Sequence, residues 1–171
     1  MPSLDDVYRK FGEVSECAQL LETDLGTVMM FLGAVDQGLI LPELRVDSQA
    51  AAKLLERVNR QTLGQLIRST EQLTDAFGPI ESLLAEALEE RNRLAHSFYR
   101  QHNLRKFSDG GRAVMMSDLE SIHQVLLAAW KAVNLIQGID LDALVKQMDE
   151  AAEKTTVRPG DGDTPIRHLK I

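Results

Sequence analysis

The sequence predicts an all-α fold, a helical bundle of four to six helices led by a long N-terminal helix. Three observations predict it. Apolar residues recur at steps of three and four over long stretches. The core stock is mostly Leu and Ala, with only 5% aromatic residues, which suits helices better than sheets. Helix start and stop signals separate the periodic stretches. At 171 residues and 44% apolar content the chain is the size of one domain, expected over 1–154.

Residues 7 to 35 carry the cleanest pattern. Val7, Phe11, Val14, Ala18, Leu21, Leu25, Val28, Leu32 and Val35 line one side of a long helix, with Met29 and Met30 as flanking packing residues. The pattern stops near Gly38, and Pro42 marks a break. A shorter helix follows from Asp47 to about Asn59, with Ala51, Leu54, Leu55 and Val58 as its apolar side. The next segment, carrying Leu63, Leu66, Ile67, Leu73 and Phe77, runs to Gly78-Pro79. Within it Gly64 sits in a helix at a cost of about 1 kcal/mol relative to Ala, or marks a close helix contact or a turn.

Pro79 suits the first turn of a new helix and Glu81 complements its N-terminus. This helix is expected to reach about Leu104, ended by Arg105-Lys106 and then Ser108-Asp109-Gly110-Gly111. Ser117-Asp118-Leu119-Glu120 reads as a capping box that starts the next one. Its buried face is Leu119, Ile122, Leu126, Ala129, Val133 and Ile136, beside Trp130, with Met115 and Met116 plugging the bundle end in front of it. Beyond Gly138, Leu141, Leu144, Val145 and Met148 predict a last helix. From Thr155 to residue 171 the composition of Thr, Pro, Gly, Asp and basic residues predicts a loose tail or partner-wrapping arm.

No apolar run approaches the roughly 20 residues of a membrane span, and no basic leader precedes a greasy segment, so a cytoplasmic protein without a membrane partner is expected. The lone Cys17 reads as a small buried hydrophobe, and no Cys/His cluster suggests a metal. No GxGxxG, Walker-type loop, HExxH, EF-hand or solenoid repeat is present, so no cofactor is expected. A net charge of -7 argues against an extended nucleic-acid surface but leaves room for a local basic site.

That site lies in the helix after Pro79. In projection Leu84, Ala87, Leu88, Ala95 and Phe98 share an apolar sector, with Leu83 and Leu94 at its edge and Arg91 near its middle. A guanidinium keeps its proton there, so Arg91 requires a carboxylate, an interface or a cleft. Asn92, His96, Tyr99 and Asn103 form a polar line beside it. From Arg91 to Lys106 there are five Lys or Arg residues and two histidines with no Asp or Glu, a positive island able to attract an anion. A structural reading stays open, in which Arg91 pairs with an acid on a neighbouring helix and His96 is simply a satisfied half-buried residue.

Arg91-Asn92-x-x-x-His96, late in a long helix of a small bundle, resembles the signature of the HEPN superfamily. The phrase RNRLAHSFY over 91–99, with Gly111-Arg112, Asp118-Leu119 and the apolar helix behind them, also looks like bacterial members of that group; the resemblance covers mainly 79–137. It implies a four- to five-helix domain that forms a homodimer, with the Arg-His helices meeting across the two-fold axis in a composite cleft. It further implies a metal-independent endoribonuclease, often a toxin paired with an antitoxin, or else a non-catalytic binding or regulatory module. Carried over, Arg91 and His96 are the catalytic pair. Asn92 holds phosphate or orients His96, and Arg93, Tyr99 and Arg100 are candidate RNA contacts. Where some toxins carry a Tyr two residues after the His, this chain has Phe98, which argues against nucleotidylation at that position.

Overall fold

The computed structural model describes residues 1–39 and 48–154, with side chains through residue 147. Among the described residues there are seven α-helices and no strand, and a 33-residue helix opens the chain. The all-α bundle expected from periodicity is what forms. The break at Pro42 and the tail over 155–171 lie outside the described residues.

Helix α1 spans Leu4–Asp36. Its start is fixed by a capping box one turn earlier than the apolar pattern suggests: Ser3 Oγ accepts from the Asp6 N–H at 3.1 Å, and the Asp6 carboxylate accepts from the Ser3 N–H at 2.8 Å. These bonds hold the Asp6 carboxyl below its ordinary range. Gly38, at φ 66, ends the helix while the Leu39 N–H returns to the Ala34 carbonyl at 2.8 Å. Val7, Val14, Ala18, Leu21, Leu25 and Val28 are buried as the spacing predicts, whereas Val35 in the last turn is exposed.

Helices α2 (Ser48–Asn59) and α3 (Leu63–Leu73) follow. α2 packs on α1 where Gly26 and Gly33 admit Val58 and Leu54. Gly64 belongs to the first turn of α3, and it marks a close helix contact: a Cβ there would stand 3.2 Å from Leu88 Cδ2.

Pro79 does not open the next α-helix. It lies inside a 3-10 helix, Asp75–Ile80, capped by Thr74 Oγ1 at the Ala76 N–H and anchored by the buried Phe77. Helix α4 (Glu81–His96) then stops eight residues short of Leu104. Ser97 leaves the helical region at φ -130, and a single turn, α5 (Phe98–Gln101), and a 3-10 helix, Arg105–Phe107, complete the run. Ser97, Phe98, Tyr99, His102 and Asn103 are mediocre helix formers, so little local preference resists this break. Tertiary contacts of Phe98, Tyr99 and His102 decide it.

Helix α6 (Asp109–Ile136) begins eight residues before Ser117-Glu120, so that motif is not a cap. Ser108 caps instead, its Oγ accepting from the Gly111 N–H at 3.1 Å. Ser117 lies inside the helix, its carbonyl accepting from Ser121 Oγ, and Met115 is a fully buried core residue within α6. Gly111 permits this start, because a Cβ there would lie 2.1 Å from the Arg105 carbonyl oxygen.

α1 and α6 form the main packing pair and run parallel. Arg112 Nε donates to the Pro2 carbonyl at 2.8 Å, Lys10 Nζ meets Glu120 at 2.7 Å, and Asp24 accepts from Trp130 Nε1 and Asn134 Nδ2 at 2.6 and 2.7 Å. Asn134 is buried, so its bond to Asp24 satisfies a group that would otherwise cost stability. α4 runs antiparallel to both, placing Arg91 near Glu22 and Arg93 near Asp118. Residues Met1–Ile139 make one compact unit. Helix α7 (Leu141–Lys154) belongs to a second, begun at Asp140, whose Oδ1 accepts from the Asp142 and Ala143 N–H groups; its Leu144 and Val145 are exposed.

Candidate functional site

The end of α4 positions the motif residues. Arg91 follows the buried Ala87 by one turn and precedes the buried Leu94, so its side chain is directed at α1. There Nε donates to Glu22 Oε1 at 2.6 Å, and one terminal nitrogen approaches Asn92 Oδ1 at 3.3 Å. The two ion-pair side chains are 25% and 27% exposed, so the pair is partly solvated. Arg91 and Glu22 line a cleft of about 290 Å³ with Phe11, Ser15, Leu94 and Ala95. Arg91 thus has both a carboxylate and a cleft. With Nε on Glu22 and Nη1 on Asn92, Nη2 is the guanidinium nitrogen left without a partner among the described residues, and it can make a charge-assisted contact with an anion.

His96 ends α4 and is exposed, as is Asn92. Among the described residues no side-chain hydrogen bond or ion pair holds the His96 imidazole. Five residues separate it from Arg91, about 140° around the helix, so the two side chains diverge within one chain. The polar line proposed from spacing does not continue past Ser97. Tyr99 instead packs on Phe11 of α1 with ring centroids 5.0 Å apart, and Asn103 falls in the turn after α5.

Arg93 is occupied differently. Its terminal nitrogens grip both Asp118 oxygens at 2.8 Å, and Nε donates to Glu90 at 2.8 Å. These partners push its already high pKa further up. Arg100 is exposed and donates to Ser97 Oγ at 3.0 Å; among the described residues it has no carboxylate partner. The acid-free stretch is therefore only partly a free positive island, since Glu22, Glu90 and Asp118 answer Arg91 and Arg93.

Sequence reasoning missed the cluster around Asp118. His102 is 3% exposed, and its Nε2 lies 2.7 Å from Asp118 Oδ2 while Arg105 approaches Nδ1 at 3.0 Å. A guanidinium has only donors, so Nδ1 must accept and the ring proton sits on Nε2, donated to Asp118. Asp118 thereby accepts from Arg93 and His102 together, and Arg93 first, then His102, hold its carboxyl below the usual carboxylate range. The cluster borders an open cavity of about 530 Å³ that Ser117 and Ser121 also line. The one available signal was His102 within the acid-free stretch, and Asp118 was disguised as a capping residue.

Among the described residues no three His, Cys, Asp or Glu side chains gather as a metal-binding group, and no helix is long and apolar enough to cross a membrane. No family model, curated protein or solved structure matches the chain.

Proposed function

We propose that this chain is a HEPN-type endoribonuclease that works without a metal as a homodimer, two Arg91–His96 pairs sharing one cleft. One observation carries the reading. Of the basic side chains around the end of α4, Arg91 opens on a cleft and His96 is exposed with no side-chain partner among the described residues, whereas Arg93 and His102 are held by Asp118. Glu22 takes Nε of Arg91 and Asn92 takes Nη1, so Nη2 is the nitrogen that would meet the phosphate.

The chemistry follows from these groups. A 2'-hydroxyl attacks the adjacent phosphorus; the new O2'–P bond forms as the P–O5' bond breaks, giving a 2',3'-cyclic phosphate and a free 5'-hydroxyl. One imidazole accepts the 2'-hydroxyl proton and the other supplies a proton to the leaving oxygen. Arg91 stabilises the charge growing on the phosphoryl oxygens. The need for a 2'-hydroxyl selects RNA over DNA. The 140° divergence of Arg91 and His96 is the reason a second copy is needed, since a two-fold axis lets each helix complete the other's pair. An antitoxin or regulatory protein that covers this cleft would silence it.

Incubation with mixed RNAs in EDTA tests the proposal. Cleavage by the wild type with cyclic phosphate ends, lost in His96→Ala and Arg91→Ala, supports it. A monomer in ultracentrifugation at micromolar concentration refutes the composite cleft. One observation favours a second reading as a non-catalytic binding or regulatory module: Glu22 already neutralises Arg91 at 2.6 Å. Absence of cleavage, with partner binding intact in both variants, decides for the module.

A further inference from the structure

Two tyrosines stay at the surface beside the Arg91 cleft. Tyr8 in α1 is 50% exposed and Tyr99 in α5 is 40% exposed, with their rings 6.4 Å apart and inclined at 55°. Behind them Phe11 packs on Phe98 at 5.7 Å, and Phe98 meets Tyr99 edge-on at 5.3 Å. Phe98 is fully buried. The phenylalanines therefore close the core, and the tyrosines form an outer aromatic layer that the fold leaves uncovered. Burial, with Tyr8 adding to it, raises the Tyr99 phenol above its ordinary pKa.

Phe11 is the link to the candidate site, because the same ring that stacks on Tyr99 also lines the Arg91 cleft. Arg100, adjacent to Tyr99, has no carboxylate among the described residues, and His96 lies three residues before Tyr99. Open aromatic faces beside a guanidinium without a carboxylate, that of Arg100, complement a ligand that combines flat rings with negative charge. An unpaired nucleotide is such a ligand, whereas bases inside a duplex have their faces covered.

We infer that Tyr8 and Tyr99 form a stacking shelf for an unpaired base of single-stranded RNA, whose neighbouring phosphates reach Arg91 and Arg100. The inference rests on the RNA-directed function proposed above and adds the strandedness of the substrate. Stacking tolerates any base, so the shelf confers preference for single strands without strong preference for sequence.

Fluorescence anisotropy with the full chain tests this, using the His96→Ala background to keep RNA intact. The probes are a short single-stranded RNA, the same sequence as a duplex, and an abasic ribose-phosphate oligomer. Tyr8→Ala and Tyr99→Ala should each weaken single-strand binding by about 5- to 100-fold. Abasic binding should change little, and Tyr99→Phe, which keeps the ring, should recover most of the loss. Melting curves verify that each variant is folded. Equal binding of single strand and duplex overturns the shelf. So does undiminished binding by folded Ala variants, and so does conversion of a dimer to monomers by either substitution, which would make the tyrosines an interface between copies. Binding that depends on Arg91 but not on Tyr8 or Tyr99 removes the shelf alone, whereas no binding to any probe removes the RNA function with it.

Discussion

Asp118→Asn tests whether the cluster behind α4 holds the site together. The carboxylate accepts two bonds from Arg93 and one from His102, all between 2.7 and 2.8 Å. An amide offers one oxygen to these donors and turns its NH2 toward the rest, leaving the buried His102 Nε2–H or one Arg93 nitrogen without an acceptor. Hydrogen bonds to charged groups are worth about 1.5–3 kcal/mol each. Because Asp118 and Arg93 are each about a quarter exposed and Arg93 keeps Glu90, the net loss is smaller than the sum. We expect about 2–3 kcal/mol, a fall of roughly 4–12 °C in Tm for a chain of this size. Thermal melting followed by circular dichroism reads it. The pH dependence has a definite sign: a carboxyl depressed in the folded state stabilises above its unfolded pKa, near 4, and loses that contribution as pH falls through the lower folded value. The gap between wild type and Asp118→Asn should therefore be full at pH 6–7 and shrink below about pH 4. A Tm within about 1 °C of wild type at pH 7, or a gap that widens in acid, refutes the reasoning.

Other residues give independent tests. Gly111→Ala forces a methyl group against the Arg105 carbonyl at 2.1 Å and should cost about 2 kcal/mol or more in urea denaturation, while Gly110→Ala, with open space around it, changes little. Asp24→Ala strips the acceptor from Trp130 and Asn134; we expect about 1–3 kcal/mol of destabilisation and a shifted emission maximum from Trp130, the single tryptophan, and unchanged emission with unchanged stability would contradict this. Burial, with Glu16 adding to it, pushes the Cys17 thiol up to about 11, so only about one part in a thousand is thiolate at pH 8. Alkylation of the native chain should be far slower than in urea, and equal rates would show that Cys17 is not protected.

What could be read from the chain divides by the range of the forces involved. The apolar stripe from Val7 to Val28 and the face from Leu119 to Val133 depend on local periodicity, and both form as expected. Helix starts were less legible, because Ser108 and Ser117 both precede plausible first turns. The choice was made by the tight approach of Gly111 to Arg105 and by the capture of Asp118 by Arg93, 25 residues away. The same limit applies to the site. That Arg91 needs a carboxylate or a cleft follows from its place in an apolar sector, but its partner Glu22 is 69 residues distant and no pattern of spacing could select it. His102 was legible only as a basic residue of the acid-free stretch: its carboxylate partner Asp118 lies 16 residues on, in another helix.

The parallel course of α1 and α6 has a consequence for biosynthesis. No short loop can join two parallel helices end to start, so everything between Asp36 and Asp109 serves as their connection. Asp24 waits 106 residues for Trp130 and 110 for Asn134. At ribosomal speeds of about 5–20 residues per second, α1 spends roughly 5–20 s with its apolar stripe lacking its main partner. The nascent chain is then an amphipathic helix in search of a cover, and in that interval it offers itself to chaperones and to neighbouring nascent chains.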